Sequence, residues 1–313
     1  MEIIETTIKD YIFLFPNPYH CFNAVNFNEL NKYKCDEIKY LIFKDNKVRL
    51  GLILGFKENK LISPFSAPFG GFSFKDDEIQ IQKIEEAIVE LDKYCKEKEI
   101  KTLKVTLPPL FYDQQFIAKC ISCFNRNNFH TNYIDLNYSF NTNKFNDKYT
   151  TEILWRNARK NYNIAQKNNF QFKKSENTED FKTAYDVIKQ NRKTRGFPLK
   201  MSYEQLVETT SIIKKDSFLL FLENKAVASA IVFHVATNIV QIIYWGDIPK
   251  YSDKKTMNYL SYKVFEYYKN QNIKIVDIGP STEDGIPNYG LCEFKESIGC
   301  DISLKYTFTK DFI

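Results

Sequence analysis

Near the C-terminal end of the chain, an apolar run closing on Asp277-Ile278-Gly279 meets a loop, Pro280-Ser281-Thr282-Glu283-Asp284-Gly285-Ile286-Pro287-Asn288. The segment Tyr289-Gly290-Leu291-Cys292-Glu293-Phe294-Lys295-Glu296-Ser297-Ile298-Gly299 follows. Leu291, Phe294 and Ile298 are spaced by three and four, which predicts a short helix with one buried face, and Gly299 predicts its stop. Lys295 lies about 100° round that helix from Phe294, so the pattern puts an ammonium at the rim of the stripe, just beyond a strand end. Loops after strand ends are where ligands bind in such sheets. Asn288 opens the same segment. Glu283 and Asp284 are acids of the same loop. Asp277 reads either as a satisfied strand-end carboxylate or as a general base.

Two basic clusters stand apart from this segment. In Thr150–Asn169, Ile153, Leu154, Trp155, Ala158, Tyr162 and Ala165 fit one helical face, and Arg156, Arg159, Lys160 and Lys167 fall mostly on another. After a helix predicted over Thr178–Gln190, the run Asn191–Pro198 sets Arg192 and Arg195 at a helix end. Such residues serve either as a solvated face and a complement to the helix dipole, or as forks for phosphate. Tyr244 and Trp245, on an apolar run, read as core or cleft wall. With three His, scattered, and no Ser or Cys motif beside them, neither a multi-histidine metal site nor nucleophilic catalysis has support.

The elements that must position these groups follow from composition and pattern. The chain has 313 residues, 43% hydrophobic, 27% charged and 16% aromatic, enough for two domains with sizeable cores. Its 44 Lys and Arg against 39 Asp and Glu suit, without demanding, an anionic partner. No stretch approaches the ~20 apolar residues of a membrane helix, and MEIIETTIKD carries acids where a signal peptide carries basic residues. A soluble, cytoplasmic protein without membrane insertion and without a DNA partner is expected. The 7 Cys show no disulfide framework, and Cys120 and Cys123 read as packing residues of an amphipathic helix over Asp113–Asn125.

The chain also repeats itself. Phe43-Lys44-Asp45-Asn46-Lys47 returns as Phe221-Leu222-Glu223-Asn224-Lys225, each a turn between apolar runs. A second polar turn, a third run, a helix (about Asp77–Lys98 and Lys254–Gln271) and a strand (TLKVTLP and IVDIGP) follow in both copies. The pattern predicts two tandem α/β (α+β) domains, 1–149 and 150–313, with Asn141–Tyr149 as linker. In each, an antiparallel meander and a helical crossover to a parallel strand make a mixed sheet covered by helices.

At this point the residues resemble a family. A strand ending in DIG followed by GLxxFKxxxG, the Ser63-Pro64-Phe65-Ser66-Ala67-Pro68-Phe69-Gly70-Gly71 loop, the basic RNARKNYNIAQK helix and the Arg192–Pro198 stretch resemble, in order, the Fem-type (FemABX-like) peptidyltransferases. These carry two GNAT-like acyltransferase domains in tandem. The resemblance spans about Tyr40 to Phe312. It implies an acyltransferase that moves an acyl or aminoacyl group to an amine, with aminoacyl-tRNA as donor and a cell-wall precursor peptide as acceptor in the best-understood members. It makes Phe294 and Lys295 the catalytic pair, with Lys295 stabilising the oxyanion or meeting donor phosphates. Arg192 and Arg195, with Arg156, Arg159, Tyr244 and Asn288, would bind a phosphorylated acceptor or donor, and tRNA is one candidate partner. The active cleft is expected in the second domain. Two departures stand out. The long charged coiled-coil hairpin of some members is missing. Neither Gly70–Asp76 nor Asp247–Asp253 has the glycine-rich turn that holds the coenzyme A pyrophosphate. No cofactor is therefore expected and coenzyme A is disfavoured. Alternative readings are acyl transfer to an amino sugar from a carrier-bound donor, and a non-catalytic tandem module that binds a nucleotide-sugar or RNA.

Overall fold

The computed structural model describes residues 1–75 and 78–312. Asp76 and Asp77, where the sequence predicts the end of one turn and the start of a helix, lie outside the described residues. In chain order the elements are β1 (Glu2–Glu5), α1 (Ile8–Leu14), α2 (Val25–Leu30), β2 (Glu37–Lys44), β3 (Val48–Lys57), β4 (Lys60–Ser63), β5 (Phe72–Phe74), α3 (Ile81–Glu97), β6 (Thr102–Thr106), α4 (Gln114–Arg126) and β7 (His130–Asn141). The second half contains α5 (Arg156–Gln166), β8 (Gln171–Lys174), α6 (Thr178–Thr194), α7 (Tyr203–Ile212), β9 (Lys215–Leu222), β10 (Lys225–Ala236), β11 (Ile239–Asp247) and α8 (Thr256–Asn270). It closes with β12 (Ile275–Pro280), β13 (Thr282–Glu283), β14 (Ile286–Pro287), α9 (Tyr289–Ser297) and β15 (Asp301–Asp311).

The chain divides into two compact units. The first holds Met1–Leu136, Asp284–Ile286 and Ser303–Ile313, and the second Asn137–Glu283 and Pro287–Ile302. The boundary read from the sequence at 149/150 thus falls inside the second unit, and the C-terminal strand belongs to the first. The reason is a ladder that composition does not show. In the first unit β15 lies antiparallel to β6, from Thr307↔Thr106 to Asp311↔Thr102. In the second, Asn137–Asn141 of β7 takes the same place beside β12. Each unit's last strand is supplied by chain that follows the other unit's helices and strands.

The repeat is otherwise present as read. β2, β3 and β4 form an antiparallel meander, α3 crosses over, and β6 runs parallel to β4. β9, β10 and β11 do the same, α8 crosses over, and β12 runs parallel to β11. Two of the hairpins close through two-residue loops, Glu58-Asn59 and Glu223-Asn224, with all four residues at positive φ, as the right-handed twist of paired strands favours. Helices start where the sequence supplies caps. The Asp113 side chain accepts from the Phe116 amide at 2.9 Å, and Asn177 caps α6. Cys120 and Cys123 lie buried in α4 as free thiols. Between Asn141 and α5 the chain forms short 3-10 and π turns in place of an open linker.

The second unit's sheet is covered on both faces. Tyr162, Leu260, Val264, Phe265 and Tyr268 pack with Val240 and Ile242 on one side, and Phe140 stacks on Phe265 with ring centroids 3.9 Å apart. The α6 helix covers the other, where the Ser229 hydroxyl donates to Ala184 O at 2.7 Å. At the edge formed by the start of β9 and the end of β10, the buried Asp216 carboxylate takes His234 Nε2 at 2.7 Å, Tyr268 Oη at 3.1 Å and Lys174 Nζ at 2.6 Å. Burial alone would raise its pKa. The hydrogen bonds from His234 and Lys174 outweigh that and hold it well below the ordinary carboxylate range. A depressed folded-state pKa contributes stability above the unfolded value and loses it as pH falls. Urea midpoints should therefore drop more steeply below pH about 4 in the native chain than in an Asp216→Asn variant.

Candidate active site where two parallel strands part

The β11–β12 ladder is short. It pairs Ile239↔Ile275, Val240↔Val276 and Gln241↔Asp277. Beyond that point β11 runs on to Asp247 and β12 to Pro280 without pairing each other. Both strands carry an irregularity at this level. On β11, Val232 opposes Ile242 and Ile231 opposes Tyr244, which leaves Ile243 as the extra residue of a bulge. On β12, the pairing to β7 skips Ile278. Bulges bend a strand and re-aim its groups, and two at one level let the parallel pair separate.

Asp277 sits at the fork, fully buried. Its Oδ1 accepts from Asn137 Nδ2 and from the Gly279 amide, both at 2.8 Å. Its Oδ2 accepts from Gln241 Nε2 at 2.8 Å. These donors come from β7, β12 and β11. The carboxylate thus stitches three strands, which is the satisfied strand-end reading of this residue and leaves little room for a general base.

The helix after the fork forms where the sequence predicts it, with a different buried face. The Asn288 side chain caps it by accepting from the Leu291 amide at 3.1 Å, so this residue's carbonyl is engaged in the cap. Lys295 is only 1% exposed, whereas Phe294 is half-buried and meets the Trp245 ring edge-on at 5.9 Å. The amine expected at the rim points inward. Lys295 Nζ donates to Ile278 O at 3.1 Å, Gly279 O at 2.8 Å and Pro280 O at 3.0 Å. It also lies 5.2 Å from the centre of the Tyr138 ring. Burial pushes its pKa down to about 8, so it remains mostly charged at neutral pH, and three carbonyl dipoles favour that form. An ammonium has three donors, and all three have carbonyl partners.

On the α6 face the sequence's arginines separate by role. The α6 helix runs one turn further than the predicted Gln190, and ends as Gly196 N donates to Lys193 O at 3.2 Å and Phe197 N to Arg192 O at 3.0 Å. Arg192 therefore stands in the last turn, with no acid and no hydrogen-bond acceptor for its guanidinium among the described residues. Burial lowers its pKa, with Tyr244 opposing. It lies within electrostatic reach of Tyr244 on β11 and of Lys295 at the end of β12. Arg195 is exposed, 3.8 Å from Asp247 Oδ1. On α5, Arg156 is exposed and has no ion pair among the described residues. Arg159 donates to Thr151 O and Leu154 O and so staples the turn before its own helix.

Residues that pattern reading missed hold this assembly. Asn191 donates through Nδ2 to Asp247 O at 2.6 Å, and Thr256 Oγ1 donates to Asp247 Oδ2 at 2.5 Å. The end of β11, the end of α6 and the start of α8 meet there. The signal was Gly246: a Cβ on it would lie 2.8 Å from Asn191 Cγ, so only glycine admits the contact. Glu283 and Asp284 are exposed. In the first unit the corresponding fork is filled. β4 stops at Ser63, Gly70 N donates to Thr106 O at 2.9 Å, Gly71 N donates to Ser63 Oγ at 3.1 Å, and Phe69 is fully buried against His20, Phe22 and Tyr112.

No family model matches the sequence, and no curated protein does. Solved structures do. The chain is similar to the crystal structure of FemX over 100% of its length and 98% of that chain, with a TM-score of 0.70 at 13% identity. The chain has the Fem-like fold of tandem GNAT domains. The structure of L-PGS from Bacillus licheniformis matches 97% of this chain and 92% of its own at a TM-score of 0.60 and 12% identity. A tandem GNAT protein from the clavulanic acid biosynthesis pathway matches 99% and 98% at 0.54 and 7%. Among the described residues, no helix is long and apolar enough to cross a membrane.

A half-buried cation without a partner costs stability, whereas a guanidinium that bonds carbonyls adds it. Arg192→Leu should therefore raise stability by about 0.5–1 kcal/mol, and Arg159→Ala should lower it by about 1 kcal/mol. Urea denaturation of the two variants measures both signs.

Proposed function

We propose that the chain is an N-acyl or aminoacyl transferase whose reaction takes place in the gap between β11 and β12, with an amine acceptor such as a cell-envelope precursor. The observation that carries this reading is the fork itself with an unpartnered Arg192 beside it. An activated ester laid in the gap would present its carbonyl to the edge of β11 beyond Gln241, where the ladder to β12 has ended and the Ile243 bulge re-aims backbone N–H groups. Attack by the amine forms the C–N bond and puts charge on the carbonyl oxygen. A backbone donor aimed at that oxygen lowers the barrier, one such donor typically contributing ~10²–10³ in rate. Collapse breaks the C–O bond, and the amine proton leaves with the departing alkoxide oxygen. No covalent enzyme intermediate is needed. Phe294 and Trp245 wall the gap on the α8 face. Arg192, with Arg195 near it, holds a phosphate or carboxylate of donor or acceptor on the α6 face, where a guanidinium binds bidentately.

The start of α8 argues against coenzyme A as donor. The Asp247 carboxylate already sits there and accepts from Thr256, which puts negative charge where a pyrophosphate would want the positive helix end. The 3-10 turn before it, Pro249–Lys254, contains no glycine and offers no nest. The exposed Arg156 and Lys160 of α5 and Lys167 just after it, at spacings of four and seven, favour a polyanionic donor such as an aminoacyl-tRNA. They equally suit the second reading, a non-catalytic module that binds RNA or a nucleotide-sugar.

Ligand-induced stabilisation separates these readings by linkage. Charged tRNA should raise the melting temperature and acetyl-CoA should not. Arg192→Ala should reduce kcat/KM by roughly 10–100-fold, the loss of a charge-assisted bidentate contact. Stabilisation by micromolar acetyl-CoA would refute the donor assignment. A nucleotide-sugar that stabilises the chain without any turnover would favour the binding module.

A further inference from the structure

The three donors of Lys295 are spent on the backbone at the end of β12. In a regular strand successive carbonyls point to opposite sides, so one ammonium cannot reach three in a row. Here Ile278, Gly279 and Pro280 all turn their oxygens to Lys295. That requires the bulge at Ile278 and the positive φ of Gly279, 72°. Asp277 fixes the same bend from the other side by accepting the Gly279 amide. A regular continuation of the ladder would set Ile278, Gly279 and Pro280 beside Ile242, Ile243 and Tyr244. The β12 carbonyls that such pairing would draw on, the alternate ones turned to β11, are among the three that Lys295 holds.

We propose that Lys295 is a positioning residue, a tethered cation that keeps β12 bent away from β11 and so holds the acyl-transfer gap open. The inference rests on the gap as the reaction site, but its test does not need turnover. Neutralising the amine releases three carbonyls and lets the strands approach. Loss of activity alone would not distinguish this role from direct oxyanion stabilisation, since a misplacement of about 1 Å costs ~10²-fold and a lost oxyanion donor costs as much. The position of Trp245 does distinguish them. The chain has two tryptophans, so Trp155→Phe, at an exposed site before α5, leaves Trp245 as the single reporter on the wall of the gap.

In that background Lys295→Met should shift Trp245 emission to the blue and reduce its quenching by acrylamide, with far-ultraviolet circular dichroism unchanged, while Lys295→Arg should restore part of the native signal. Emission and quenching that stay put, or move toward greater exposure, overturn the proposal. If turnover is lost while Trp245 is unmoved, the amine meets the substrate directly. Should the Met variant fail to fold, the Trp155→Phe chain itself supplies the answer between pH 7 and 9.5. The groups that face the amine are Tyr138, Glu296, Cys292, Cys300, Asp277 and Arg192, and burial raises the phenol of Tyr138 and the thiol of Cys300. With Cys292→Ser added, deprotonation of Lys295 should give the same blue shift, and a flat response across that range overturns the proposal.

Discussion

A buried carboxylate on β12 and a buried ammonium reaching from α9 to the end of that strand decide where the second unit's sheet stops being a sheet. Asp277 draws donors from three strands to the last paired rung. Lys295 gathers the next three carbonyls out of the ladder. Neither charge could be desolvated without such partners. The two charges are therefore local and mutually supporting: the carboxylate ends the pairing and the ammonium prevents its resumption. Everything proposed for the reaction lies in the space that results.

The two units show how one topology yields two outcomes. Both have a meander, a helical crossover and a parallel pair with an antiparallel strand beside it. In the first, β4 ends after four residues and the Ser63–Gly71 loop returns to bond β6, so the fork is filled by Phe69 and its aromatic neighbours. In the second, β11 runs six residues past its last rung with β12, to Asp247, and there carries Tyr244 and Trp245 on opposite faces of the strand. Strand length past the last rung, and not a special catalytic residue, separates the closed unit from the open one.

The arginines illustrate the same economy of explanation. Arg159 bonds two carbonyls of its own chain segment, and Arg192 bonds nothing among the described residues although it is half-buried. A desolvated cation without an acceptor is unfavourable in the absence of a ligand, and such groups concentrate where a ligand supplies the missing charge. Asn191 and Asp247 explain why the helix can hold Arg192 in that position, because they lock its last turn to the end of β11.

Much of the architecture was legible in the sequence. Alternation, turn residues and the repeated element order are local properties, and they specified two mixed-sheet units, the crossover helices, the loop after IVDIG and the helix behind it. The candidate residues around Arg192, Tyr244 and Phe294 could be named for the same reason. What tertiary structure alone decided was direction and partnership. The buried face of α9 is the one bearing Lys295, because three carbonyls elsewhere in the chain needed a donor more than an aliphatic stripe needed burial. The last strand of each unit comes from beyond the other, because hydrogen-bond ladders are indifferent to chain order. The gap between β11 and β12 exists through two bulges and a shared carboxylate, none of which leaves a periodic mark, since a bulge is defined by the strand opposite it.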